Sequence, residues 1–176
     1  MTDTPLWIET MGGPLIAIPE SACRHWQGGL ENGEDYWRAC AVSGYVGLIE
    51  VGTAQALVLG DVPALATFLP ESRIFVRWLG ADSAADIIDA ATEAVESAQW
   101  EEELVWDVRE PVILFDSVLG YDMIAEEEHL RVDLPPGRHT VRAATVETES
   151  VTAVVVRLDP VEQDGLQAVC KSSLAG

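Results

Sequence analysis

The residue types in this sequence that could do chemistry are three histidines, three cysteines and a large surplus of carboxylates. His25, His129 and His139 form no ligand pair at helical or cysteine-like spacing, and Cys23, Cys40 and Cys170 form no Cys-x-x-Cys pair. Without such spacing a zinc or calcium centre has no ligand set, so neither a metal nor a cofactor is expected. Gly12-Gly13 and Gly28-Gly29 are too short for a phosphate loop or a dinucleotide fingerprint, and neither joins a strand to a helix. Ser117 follows Asp116 but lacks the Gly-x-Ser-x-Gly elbow of a hydrolase nucleophile. Cys40 and His25 could in principle pair as nucleophile and base; the plainer reading is a buried structural thiol and a surface histidine. Carboxylates are so numerous that choosing two as general acid and base would be arbitrary. The expectation is a binding protein and not an enzyme.

One set of carboxylates is ordered enough to name. Asp82, Asp86, Asp89, Glu93 and Glu96 are spaced 4, 3, 4 and 3, which puts all five on one stripe of a helix. No lysine or arginine lies between Asp82 and Glu96. Like charges at this spacing cost about 0.2–0.5 kcal/mol per pair. The helix dipole offsets part of that for Asp82 and Asp86 but not for Glu93 and Glu96. Glu101, Glu102 and Glu103 follow directly, and Glu126-Glu127-Glu128 forms a third cluster in an expected loop. These residues are either a solvated face or a binding surface for a basic partner; the candidate site is Asp82, Asp86, Asp89, Glu93, Glu96, Glu101, Glu102 and Glu103. If the stripe is only solvated, the Gly12-Gly13 turn and any exposed tryptophans are the next places to look.

The stripe needs a helix, and the sequence supplies one. Asp82 or Ser83 offers an N-cap, and Ala84, Ile87, Ile88, Ala91, Val95 and Ala98 follow helical spacing, which predicts a principal amphipathic helix over about 82–97. Elsewhere the signals are β. Leu6–Thr10 and Leu15–Pro19 flank Gly12-Gly13-Pro14 and read as a hairpin. Residues 20–40 read as irregular or short helix; Asp35–Cys40 could make a helical turn that Asp35 caps and whose aromatics pack. Tyr45–Gly52 and Ala56–Asp61 read as a second hairpin, and Arg73–Leu79, Leu104–Val108 and Val112–Asp116 as further strands. Leu130–Leu134 turning through Pro135-Pro136-Gly137 into His139–Ala144 reads as another hairpin, and Ser150–Leu158 as the last strand. Strands in sequence with one principal helix imply an α+β fold with a predominantly antiparallel sheet.

Composition bounds the rest. A chain of 176 residues, 48 % hydrophobic, suits one domain over residues 1–176 with a weakly patterned C-terminal tail from about 160. No apolar run approaches the roughly 20 residues of a membrane span. The N-terminus has no basic n-region, so it does not read as a secretory signal, and the cytoplasm is the expected compartment. An odd number of cysteines there reads as free thiols. Thirty acidic residues against ten basic ones give a formal charge of −20, with Lys171 the only lysine. That field repels nucleic acid and anionic membranes, so neither is an expected partner, and it attracts basic surfaces. Trp7, Trp26, Trp37, Trp78, Trp100 and Trp106 suit the core or rim of a small β-rich protein.

The stretch Trp7–Pro14, followed by Trp26, resembles the opening of a family from bacterial polymorphic toxin systems, immunity protein 21. The resemblance continues through Asp35-Tyr36, Arg38-Ala39-Cys40, Ala56–Asp61, Leu69-Pro70, Arg77-Trp78, Ala81-Asp82-Ser83, Trp100-Glu101-Glu102 and Asp116-Ser117, from about residue 6 to at least residue 143. It implies a non-catalytic cytoplasmic antitoxin that binds and blocks a cognate toxin; it supplies no catalytic residues and names no toxin. Charge points to a basic target such as a nuclease or a nucleotide-modifying toxin. Two alternatives stand beside it: an acidic small-ligand or regulatory binding module, and a carboxylate enzyme on an unrecognised scaffold. Nothing in the sequence sets the oligomeric state.

Overall fold

A computed structural model describes residues 4–30 and 32–162, so Cys170 and most of the weakly patterned tail lie outside the described residues. The most apolar runs become the central strands. β1 (Leu15–Pro19) and β7 (Val112–Asp116) are buried at every position, and β3 (Ala54–Leu59) and β10 (Thr152–Pro160) over most of their length. Strands covered on both faces cannot show the alternation of a half-exposed strand, which is why these segments read as continuous hydrophobic runs.

Ten strands form two sheets in which every pairing is antiparallel. The first sheet has the order β2 (Val46–Val51), β3, β1, β7, β8 (Leu130–Val132). The second has the order β4 (Leu65–Leu69), β5 (Ile74–Gly80), β10, β9 (Gly137–Glu147), β6 (Glu102–Val108). The sheets pack face to face around Leu57, Leu59, Phe75, Trp106, Leu114, Val141 and Val156. Helices clad the outer faces. α2 (Ala84–Ala94) lays Ile87, Ala91 and Val95 over Ile74, Val76 and Val155 of the second sheet. A 3-10 helix (Glu20–His25), α1 (Glu34–Cys40) and α3 (Tyr121–Ile124) cover the first, with Cys23, Trp26, Ala39 and Ile124 packed on Ile16, Val58 and Phe115.

The expected α+β class and principal helix are present, the helix being bounded by Ala84–Ala94 with Ser83 as N-cap. The Val46–Val51 and Ala54–Leu59 hairpin is also present. Two other expected hairpins are not. Leu6–Thr10 does not pair with β1; Ile8 bridges Ala66 on the edge of the second sheet, while β1 pairs with β3 and β7 of the first. Likewise β8 pairs with β7, whereas β9 pairs with β10 and β6. Both Gly/Pro segments are corners at which the chain changes sheets. At the first, Thr10 Oγ1 donates to Gly13 O (2.6 Å), and the Met11 N–H donates to the Asp116 carboxylate (2.6 Å), turning the chain toward β7. At the second, Pro135 and Pro136 have no N–H to continue a ladder, and Gly137 at φ 134 restarts the chain in the other sheet.

Three smaller expectations are also corrected. β4 was not marked by the sequence, because its five residues lie between prolines and carry little alternation. α1 is capped by Gly33 in the left-handed conformation; the Asp35 carboxylate instead accepts from the Gln27 N–H (2.8 Å) and pairs with Arg38 (2.9 Å). Trp26 and Trp106 are core, and Trp7, Trp78 and Trp100 pack beside α2, but Trp37 is 66 % exposed and fills no core position.

Candidate partner-binding surface

The acidic stripe is present as a surface. Asp82, Asp86, Asp89, Glu93 and Glu96 are all exposed. Asp86, Asp89 and Glu93 lie on the side of α2 opposite Ile87 and Ala91, whereas Asp82 precedes the extended N-cap Ser83 and Glu96 follows the C-cap Val95, so the helix itself carries three of the five. The cap orders the first turn: Ser83 Oγ accepts from the Asp86 N–H (3.2 Å) and donates to the Asp86 carboxylate (2.7 Å). Among the described residues no cation pairs with the stripe, and the arginines show why. Arg73, Arg142 and Arg157 converge on Asp159 (3.4, 2.8 and 2.9 Å), and Arg142 also lies 4.9 Å from the centre of the Trp100 ring. Burial opposes ionisation of Asp159, but the hydrogen bonds and charges of Arg142 and Arg157 hold its carboxyl below the usual range. Arg38 is bound to Asp35, Arg109 to Asp107, and Arg131 to Glu20 and Asp133. Arg77 is buried.

Glu101, Glu102 and Glu103 do not prolong the stripe as one unit, because β6 begins within the triplet and turns successive side chains to opposite faces. Glu102 faces the first sheet, and its carboxylate accepts from the N–H groups of Tyr45 (2.8 Å) and Val46 (3.1 Å), tying β6 to β2. Glu101 accepts from the Thr145 N–H (3.1 Å), and Glu103 is exposed opposite Arg142.

The other sequence candidates fall apart spatially or chemically. Cys40 is exposed, against the expectation of a buried thiol there, and Cys23 is buried. Cys23 donates to the Ile18 and Pro19 carbonyls (3.8 and 3.7 Å); burial, with the charges of Glu20 and Glu110, pushes its thiol up to about 11, away from the reactive thiolate. His25 is exposed beside Arg24 (3.3 Å), while His139 is 1 % exposed between the sheets. Among the described residues no three of His, Cys, Asp and Glu could hold one metal ion.

The Gly12-Gly13 turn and the exposed tryptophan, named from the sequence only as the alternative to the stripe, belong to a face on the first-sheet side. A cleft of about 200 Å³ is lined by Gly12, Gly13, Tyr36, Cys40, Asp61 and Val62, among others. Trp37 lies against Tyr36, with ring centroids 5.7 Å apart. A hydrogen bond donated by the Tyr36 hydroxyl to Cys40, then burial and nearby negative charge, raises the pKa of that hydroxyl above its usual range. Beneath the loop, the Arg77 guanidinium donates to the carbonyls of Leu59 (3.3 Å), Val62 and Tyr45 (3.4 Å), and burial lowers its pKa to about 10. Beside the corner, Asp116 and Ser117 form a buried knot: Ser117 Oγ donates to Pro14 O (2.6 Å), and Trp26 Nε1 donates to Ser117 O (3.1 Å). The signal for this face was in the sequence, since all the lining residues except Val42, Val62 and Pro63 are among those that carry the family resemblance.

The fold and this surface define a helix-clad sandwich of two antiparallel sheets, with its carboxylates and an exposed indole turned outward. The chain belongs to the immunity protein 21 family, whose model matches residues 6–152 of the 176. Membership makes it a member of a group of immunity proteins, directed against a toxin. No curated protein and no solved structure matches the chain. No helix among the described residues is long and apolar enough to cross a membrane.

Proposed function

We propose that this protein is a non-catalytic immunity protein of a polymorphic toxin system, which binds a cognate toxin with a basic surface in the cytoplasm and blocks it. A nuclease or nucleotide-modifying toxin fits best, because its substrate groove must itself be cationic. The observation that carries the reading is the row Asp82, Asp86, Asp89, Glu93 and Glu96, exposed and without a cation partner among the described residues, on a family member of formal charge −20. Such a row raises the encounter rate with a cationic target and costs helix stability, which is the balance expected of a steering surface. Glu101 and Glu103 extend the field; Glu102 serves the scaffold.

The test replaces Asp86→Asn, Asp89→Asn and Glu93→Gln together and measures binding to the toxin domain encoded beside the gene at two salt concentrations. Association should slow by about tenfold or more at low salt and the salt dependence should flatten, with little change in dissociation. Unchanged rates and unchanged protection of cells would reduce the stripe to a solvated face. A small-ligand module is less favoured: the cleft of about 390 Å³ lined by Glu20, Cys23, Ile113, Tyr121, Ile124 and His129 carries no tryptophan.

A further inference from the structure

We propose that the toxin docks on the cleft between α1, the Gly12-Gly13-Pro14 corner and the Asp61–Pro63 loop. Its docking segment is basic and carries an apolar depression that Trp37 enters. The proposal rests on the reading of this chain as an immunity protein and adds the surface and the chemistry of its partner.

Three independent observations converge there. The first is exposure. Met11 at 74 % and Trp37 at 66 % are the most exposed large apolar side chains among the described residues, and Val62, at 41 %, lines the cleft. Single exposed apolar residues are ordinary, but several gathered about a concavity mark an interaction site, and tryptophan and methionine are enriched in such sites. The second is rigidity. Trp37 leans on Tyr36, and Tyr36 packs so closely on Gly13 that a Cβ there would lie 2.5 Å from its hydroxyl oxygen. Arg77 clamps the opposite wall through the carbonyls of Leu59 and Val62. An anchor already held in its bound position loses little entropy on docking. The third is charge. Asp61 is exposed and lines the cleft, Glu34 is exposed on the same helix as Trp37, and the neighbouring cation, Arg38, is committed to Asp35 and to the Glu50 carbonyl. A basic partner is complementary to this acidic surface. A second copy of this chain across a two-fold axis would set acidic surface against acidic surface, so self-association is disfavoured.

The test measures binding of the toxin domain encoded beside the gene to the full chain carrying Trp37→Ala, Trp37→Phe or Met11→Ala. Val105→Ala, at an exposed site on β6 of the second sheet, is the control. Trp37→Ala should weaken binding about thirtyfold or more, chiefly through faster dissociation, with Trp37→Phe intermediate and Val105→Ala unchanged. Because Trp37 is exposed, the unfolding midpoint of Trp37→Ala should match the wild type. Wild-type binding that Trp37→Ala leaves within threefold overturns the docking face and spares the immunity reading. A wild-type chain that does not bind this toxin overturns the immunity reading and the docking face with it. A wild-type dimer that Trp37→Ala dissociates without altering toxin affinity also overturns the proposal, showing the face to be a self-contact.

Discussion

Glu102, His139 and Arg77 all lie on the inward side of the second sheet, where an ionisable group must find partners or change its charge. Glu102 and Arg77 find backbone: the carboxylate holds two N–H groups of β2, and the guanidinium holds three carbonyls. Glu102→Ala leaves the Tyr45 and Val46 N–H groups without their acceptor and should cost about 1–3 kcal/mol in urea unfolding, with Glu102→Gln closer to the wild type because it keeps one oxygen. His139 is different. Its Nδ1 lies 3.2 Å from Gly137 O, but its Nε2 is buried without a partner. Burial lowers its pKa, the Gly137 contact opposes that, Arg73 adds to it and Asp107 opposes it. The folded chain therefore holds the imidazole neutral at pH values where the unfolded chain, near 6.5, takes up a proton, so stability falls as pH drops through and below 6.5. Between pH 7.5 and 5.5 the wild type should lose more stability than His139→Gln by at most about 1.4 kcal/mol, read as the difference between two pairs of denaturant curves. An equal loss in both chains would mean that His139 is protonated as easily folded as unfolded.

At the scale of elements, α2 carries two opposed demands. Its inner face is fastened by Ile87 and Ala91 and its first turn by Ser83, whereas its outer face repels itself. Ser83→Ala should cost about 1 kcal/mol, because the Asp86 N–H loses its acceptor. Glu93→Gln should raise stability by about 0.2–0.5 kcal/mol, since a negative charge near the C-terminal end of the helix opposes both the dipole and Asp89. A helix that gains stability while toxin association slows would show the row kept for function at a structural cost. The corners obey backbone rules instead. Gly137 at φ 134 has no atom within 4 Å of an added Cβ, so Gly137→Ala isolates conformational strain and should cost about 1–3 kcal/mol without a clash. Gly28→Ala adds a clash to that strain, because a Cβ there meets the Val118 and Leu119 carbonyls at 2.5 Å, and should be the more damaging of the two in thermal unfolding.

For the whole molecule, charge sets the behaviour. Thirty acidic residues repel one another in the compact state, and the few arginines neutralise only local carboxylates. Raising the salt from about 10 to 150 mM shortens the screening length from about 30 to 8 Å, so the melting temperature should rise while toxin association slows. Opposite signs in these two measurements separate self-repulsion from attraction to a partner. A melting temperature that falls with salt would instead assign net stabilisation to the Asp159 arginine cluster and the other ion pairs.

The sequence by itself determined most of the strand segments, though not β4, as well as where the one long helix would lie, the charge of the surface and the family. Each of these depends on local periodicity, on composition, or on short motifs that survive without knowledge of contacts. Tertiary structure alone decided which strands pair, because backbone hydrogen bonds carry no side-chain identity and a Gly/Pro segment can reverse a hairpin or cross between sheets. It made corners of Gly12-Gly13-Pro14 and Pro135-Pro136-Gly137 by giving their flanking residues nearer partners in opposite sheets. It divided Glu101, Glu102 and Glu103 because strand alternation sends neighbours to opposite faces, a fate that depends on where β6 starts. And it left Trp37 in water. An indole is buried or exposed according to what packs over it, and here residues distant in sequence form a cleft beside the ring and leave its outer face open.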